Sequence, residues 1–287
     1  MSELEAYGFR GTFFTEVLAS HHFGADGLAE IVSTMCRRGH DVQLHLHPIL
    51  RRPEDTDPVE DNIGAYAIDE QVALLNEGLD LLAAAGARRQ DLVAFRAGNF
   101  GAANETWQAM SQVGLRLSSN YNPSYVDEDC LLRPQNPDPG LFHSGVDDVW
   151  ELPISNFVQP NGTYRHLQLC AVSTAEMAHC LNASAAMGID HVTVLTHSFE
   201  LSHMDSVQRR RGRADLVTVQ RLRGLLRFLD ANRDRFEVDT VGDLAKRLPK
   251  SAAPASTADY PRGSQLLYLR RLAEQGVRRV ASRIHLP

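Results

Sequence analysis

Gly39-His40-Asp41-Val42-Gln43-Leu44-His45-Leu46-His47-Pro48 is the stretch on which the reading of the fold turns, because it sets two imidazoles two residues apart at the end of an apolar run. Side chains alternate between the faces of a β-strand, so His45 and His47 share a face and lie about 7 Å apart along the backbone, within reach of one ion. Pro48 lacks a backbone donor and ends the strand. Imidazole suits zinc, iron, nickel and copper, and a catalytic zinc commonly takes three protein ligands and a water, so a third ligand must come from elsewhere. The competing reading is a polar strand end with two half-exposed histidines, and a bare H-x-H leaves both open.

The flanking residues supply a β/α alternation. Gly11-Thr12-Phe13-Phe14 is a short β-rich run, and Asp26 as N-cap opens a helical pattern of Leu28, Ile31, Val32 and Met35 that Gly39 closes. Residues 48–66 are rich in proline and acid and read as a long loop. A helix with Val72, Leu75, Leu79 and Leu82 on one face follows. Then comes a strand at Leu92–Phe95 running into Arg96-Ala97-Gly98-Asn99-Phe100, a helix near 103–113 and a strand near 115–118. Residues 119–149 form a second long loop before the strand-like Trp150–Ile154. Ser173-Thr174-Ala175-Glu176 is a capping box, and its helix closes at Gly188. His191–His197 reads as a buried strand ending in histidine; an Arg-rich helix, a short strand at Phe236–Val238 and a helix begun by Thr240 complete the body. Such alternation argues for parallel strands wrapped by helices, with the site on the rim at the strands' C-terminal ends.

Composition narrows the classes. A chain of 287 residues, 43% hydrophobic, can bury a large core. Its net charge of −7 excludes a general nucleic-acid binder, which needs a basic face. Cys36, Cys130, Cys170 and Cys180 have no C-x-x-C spacing, so free thiols are expected. No apolar run reaches 18 residues, and Met1–Tyr7 lack the regions of a signal peptide, so the expectation is a cytoplasmic protein. We divide the chain into a body at 1–248, a linker at 249–263 and a basic amphipathic helix at 264–287. That helix carries Leu266, Leu269, Leu272, Val277, Val280 and Ile284 among arginines. Packing on its own domain or on another subunit is the favoured role for such a tail, and weak contact with an anionic membrane surface is the alternative.

Taken in order, T-F-F at 12–14, G-H-D-V-Q-L-H-L-H-P at 39–48, F-R-A-G-N-F at 95–100, W-E-L-P at 150–153 and L-T-H-S-F at 195–199 resemble the polysaccharide deacetylases of carbohydrate esterase family four. The resemblance spans residues 9–248. It implies a distorted (β/α) barrel of six or seven strands and a metal-dependent hydrolase that removes N- or O-acetyl groups from carbohydrate. The implied substrate is an acetylated sugar or glycan, and the implied cofactor is a divalent metal, zinc first among them. Within the resemblance His45 and His47 match the metal-binding histidines, one residue apart where many members have three. Arg96 matches the arginine that orients the catalytic aspartate; a surface salt bridge is its other reading. Asn99 and Phe100 fall in the substrate-lining motif, as does Trp150, with core packing equally open for the two aromatic residues. Glu151 is a candidate to replace the aspartate that partners the arginine or the acid histidine. His197 matches the general acid that protonates the leaving group, a role suited to imidazole.

The family's first strand, with its paired aspartates serving as base and third metal ligand, has no match. The eleven residues before Thr12 hold Glu3 and Glu5 but no aspartate, and Glu16 follows the T-F-F strand, outside the position of that pair. The expectation is a truncated or impaired deacetylase with an unpaired strand edge. Two other classes compete: a catalytically silent barrel of the same kind that binds glycan or a protein partner, and, further off, an amidohydrolase-type barrel, where H-x-H also binds metal.

Overall fold

The structure is a computed structural model that describes residues 1–51, 60–206, 211–249 and 259–284. The chain divides into two compact units, residues 1–153 with 238–257, and residues 154–237 with 258–287. Most of the linker expected at 249–263, and the acidic residues Glu54, Asp55 and Asp57 of the first long loop, lie outside the described residues.

The first unit opens with helix α1 (Ser2–Glu5), strand β1 (Thr12–Glu16), helices α2 (Ser20–Phe23) and α3 (Ala25–Arg37) and strand β2 (Asp41–Leu46). It continues with α4 (Ile68–Ala84), β3 (Ala94–Ala97), α5 (Asn104–Gln112), β4 (Leu117–Ser118), β5 (Phe142–His143) and β6 (Trp150–Glu151). Its sheet runs β1-β2-β3-β4-β6-β5, parallel from β1 to β6, with β5 antiparallel at the far edge. Among the described residues the sheet ends at β1 on one side and β5 on the other. The parallel alternation is as expected, while closure into a barrel is not part of the described architecture.

Gly24 rather than Asp26 caps α3, and Asp26 sits in the first turn, where its charge still favours the helix end. Leu28, Val32 and Met35 are buried and Ile31 faces out. The helix closes as expected at Gly39, whose φ of 77° suits glycine. One sheet face buries Val42, Leu44, Leu46, Phe95 and Ala97 against Leu75, Leu79 and Leu82 of α4 and Trp107 and Met110 of α5. The other face packs Ala94, Leu117 and Trp150 against Leu244 and Ala245 of α8 (Val241–Ala245), with Phe14 beside them.

Two polar side chains act as pieces of backbone. Gln43, fully buried, accepts from the N–H groups of Val93 and Ala94 at 2.9 Å each and donates to the Asp91 carbonyl at 2.9 Å and Asp41 Oδ1 at 2.7 Å. It thereby sets where β3 begins. His40, also buried, accepts from Gly11 N–H through Nδ1 at 3.1 Å and meets Glu5 through Nε2 at 3.0 Å, tying α1 to the start of β1. Arg38 beside Glu5 holds that carboxyl at about 2. The acid ahead of the first strand is therefore engaged in an ion pair.

The second unit holds β7 (Asn156–Val158) paired antiparallel with β8 (Tyr164–His166), helix α6 (Thr174–Ala186), a hairpin of β9 (Ser202–Ser206) and β10 (Arg211–Ala214), α7 (Leu216–Asp230) and α9 (Gln265–Ile284). Phe157, Leu167, Leu169, Met177, Leu181 and Leu225 form its core. The capping box is as predicted: Ser173 accepts from Glu176 N–H, and Glu176 returns to Ser173 N–H at 3.0 Å. The strand expected over His191–His197 reduces to a single bridge between Leu195 and Gln168, because the Thr193 N–H goes to Ser155 Oγ at 2.8 Å instead of to a strand carbonyl. Phe236–Val238 is likewise no strand; the Phe236 N–H is spent on the Asn232 carbonyl and the ring packs on Phe228. All four cysteines are free. Among the described residues no helix is long and apolar enough to cross a membrane.

Replacing Gln43 by Leu strands the Val93 and Ala94 donors in the core. We expect a loss of about 3 kcal/mol, read as a lowered urea midpoint with unchanged m-value.

Candidate metal centre

The register of three parallel strands builds the site. Glu16 lies opposite His45, and His45 opposite Arg96, so these three side chains form a row across β1, β2 and β3. The row sits two residues beyond Phe14, Gln43 and Ala94, at the C-terminal ends of the strands, where open α/β sheets carry their ligands. His47 follows one step past β2, its ring 5.0 Å from that of His45 and nearly perpendicular to it. One donor atom from each of Glu16, His45 and His47 lies within 4.8 Å of the others.

Nδ1 of each imidazole is engaged by a neighbouring oxygen. His45 Nδ1 meets the Arg96 carbonyl at 2.8 Å, and His47 Nδ1 meets Asp61 Oδ2 at 2.8 Å. An acceptor at Nδ1 fixes the proton there and presents the Nε2 lone pair, the arrangement found behind metal-binding histidines. Asp61 is itself held by the Asn99 amide at 2.8 Å and the Ile49 N–H at 3.2 Å. Asn99 and Phe100 take left-handed backbone, with φ of 54° and 59°, which costs free energy and is retained where the surroundings demand it. Gly98 leaves the space that the His47 ring fills, and a Cβ there would fall on the ring.

Glu16, set aside on sequence order because it follows the T-F-F strand, is the candidate third ligand. Its Oε1 accepts from the Leu18 N–H at 2.7 Å, and its Oε2 is buried without a hydrogen-bond partner. Burial pushes its carboxyl above the usual range, and the Leu18 N–H and the nearby His47 only partly offset this. One carboxylate oxygen of Glu16 lies within 4.8 Å of a ring nitrogen of each imidazole, where a cation would offset the cost of burying the carboxylate charge. Two neutral imidazole nitrogens and one carboxylate fit a divalent ion.

The remaining expected site residues divide. The Arg96 guanidinium donates to the Ser119 carbonyl at 3.1 Å and to Ser119 Oγ at 2.7 Å, and lies 4.2 Å over the Phe14 ring. Burial draws it down to about 10 against the charge of Glu151, so it stays cationic at neutral pH. Its bonds run to Ser119 rather than to a surface carboxylate. Phe100 is half-buried beside Tyr125 at 5.5 Å.

Trp150 is buried in the α8 cluster and stands edge-on to His143, so of the two roles left open for it core packing is the one its surroundings match. Glu151 partners neither Arg96 nor His197 by a hydrogen bond. It is fully buried and accepts from Trp107 Nε1 at 3.0 Å and from the N–H groups of Asn120 at 2.7 Å and Tyr121 at 2.8 Å, with its carboxyl raised by desolvation. It braces the turn after β4 from within.

His197 belongs to the second unit. Its Nδ1 meets Glu200 Oε1 at 2.7 Å, and its ring stacks on Phe199 with centroids 4.9 Å apart. Burial works to raise the Glu200 carboxyl, but bonds from His197, Gln168 and Thr196 outweigh it and leave the group below the ordinary range. Glu200 is thus the carboxylate partner of His197, the role for which Glu151 was a candidate. It lies three residues on, a spacing open to inspection in the sequence.

We expect Glu16→Gln, like His45→Ala, to abolish stoichiometric divalent-metal binding measured by titration calorimetry. Asp61→Asn weakens the same binding about 10–100-fold. Wild-type affinity in the Glu16 variant would remove it from the ligand set.

No family model and no curated protein matches this sequence. Among solved structures, the chain is similar to one described as "putative polysaccharide deacetylase from Mycobacterium smegmatis", at 18% identity and a TM-score of 0.54, over 89% of this chain and 79% of that one. At that identity the similarity establishes a shared mixed α/β fold.

Proposed function

We propose that this protein is a zinc-dependent hydrolase that removes acetyl groups from N- or O-acetylated carbohydrate, built on the distorted barrel of the deacetylases it resembles. The observation that carries the reading is the group of Glu16, His45 and His47, one donor atom of each within 4.8 Å of the others, with Nδ1 of both histidines engaged by outer oxygens. Glu16 stands in for the aspartate ligand of the family, and two histidines with one glutamate are a known catalytic zinc set. A zinc ion held there would polarise an acyl carbonyl and lower the pKa of water.

The chain's own groups supply the rest. Asp61 and the Arg96 carbonyl keep both histidines oriented. Arg96 places a permanent positive charge in the same row, suited to a developing oxyanion. Phe100 offers an aromatic edge to a sugar ring. The resemblance gives His197 the part of the general acid; within the second unit its Nδ1 meets Glu200, which leaves Nε2 as the nitrogen that would carry a proton. The alternative, a silent glycan-binding barrel, is supported by Asp61, the acid beside His47, being engaged by His47, Asn99 and the Ile49 N–H.

The test is acetate release from a panel of N- and O-acetylated sugars by the zinc-loaded protein. Release lost with a chelator and in Glu16→Gln, and lost in His197→Ala with zinc retained, supports the reading. Full zinc occupancy with no release from any acetylated sugar contradicts it and favours glycan binding. A second expectation concerns Glu200→Gln: nitrogen NMR should show the neutral His197 proton moving partly from Nδ1 to Nε2, with metal content unchanged. An unchanged tautomer would remove Glu200 from this role.

A further inference from the structure

Helix α9 presents its faces in an unusual order. Its inward anchor is a charge: Arg271, buried, donates from Nε to the buried Glu176 at 3.0 Å, from Nη1 to the Ala171 carbonyl at 3.4 Å and from Nη2 to Gln159, and lies 5.2 Å over the Tyr268 ring. Glu176 is also the acid of the α6 capping box, so one carboxylate closes two elements. Glu274, one turn on, meets the buried Arg221 at 3.4 Å. With these polar groups turned in, the leucines turn out. Leu266 is 74% exposed, Leu269 53% and Leu272 44%, measured over the whole chain. α9 is thus held to its own unit by polar anchors, as one of the roles expected from sequence has it, while Leu266, Leu269 and Leu272 stay exposed.

What the leucine face meets is indicated by charge. Residues 262–284 hold six arginines and a single acid, Glu274, in a chain whose net charge is −7. Arg262 and Arg270 are 80% and 65% exposed beside the leucines. Two copies of such a helix laid face to face would crowd like charges, whereas an anionic lipid surface accepts the leucines between headgroups and pairs the arginines with them. Val277, five residues past Leu272, then Val280 and Ile284 at steps of three and four follow in the sequence.

We propose that α9 is a membrane-surface anchor that lays Leu266 and Leu269 into the interface of an anionic bilayer. The inference is independent of the metal centre.

The experiment is sedimentation of the full chain with vesicles of equal parts phosphatidylglycerol and phosphatidylcholine, beside vesicles of phosphatidylcholine alone. Binding to the first, weakened by salt, with little binding to the second, is expected. Leu266→Glu with Leu269→Glu should lower partitioning by at least about tenfold per leucine, with the circular dichroism spectrum and metal content of the parent. Since neither side chain is buried, the variant should fold. Binding to neither vesicle, equal binding to both, or a variant that binds like the parent overturns the proposal. So does a parent that dimerises in solution through this face without binding vesicles.

Discussion

The parallel register between β1, β2 and β3 is the constraint on which the candidate site depends. It sets Glu16, His45 and Arg96 side by side, each contributed by a different strand and none near another in sequence. A slip of one residue in β1 would turn Glu16 to the helix-covered face and bring Thr15 to the site, because strand side chains alternate. The register is held from below. Thr12 Oγ1 donates to Asp41 at 2.8 Å and accepts from the Val241 N–H, while the Gln43 side chain fixes β3 against β2. Polar groups that look structural therefore place the ones that look functional.

The two histidines were legible because their spacing matches the period of a strand and a proline follows them. The parallel sheet, helices α3 to α6 and the Ser173 capping box were legible for similar local reasons. Glu16 was not, since the pairing of β1 with β2 is a tertiary fact that no local pattern encodes. It could have been found by sliding the T-F-F strand along the histidine strand and asking which register puts a carboxylate beside an imidazole. Asp61 was hidden among the acids of the long loop at 48–66, whose pairing no local pattern encodes. His191–His197 reads as a strand by composition, yet a serine hydroxyl took one of its donors, and composition says nothing about that competition.

Resemblance and geometry contribute different parts of the functional account. Motif order points to the deacetylases, and the similar solved structure agrees at the level of fold. Geometry then places individual residues: Trp150 and Glu151 in the core, Glu200 beside His197, and Glu16 in the candidate ligand set. Each placement follows from where polar atoms find partners. The Glu151 oxygens are supplied with donors by the turn after β4, whereas one Glu16 oxygen has none. The same reasoning, applied to α9, shows a basic amphipathic tail held to its unit by the buried Arg271.

The most direct test of the central claim is a crystal structure of the protein soaked in zinc, with anomalous scattering recorded on both sides of the zinc edge. The account predicts one strong peak bound by a carboxylate oxygen of Glu16 and by Nε2 of both His45 and His47. A peak held by the histidines with Glu16 turned away, or zinc found only at other residues, would contradict it.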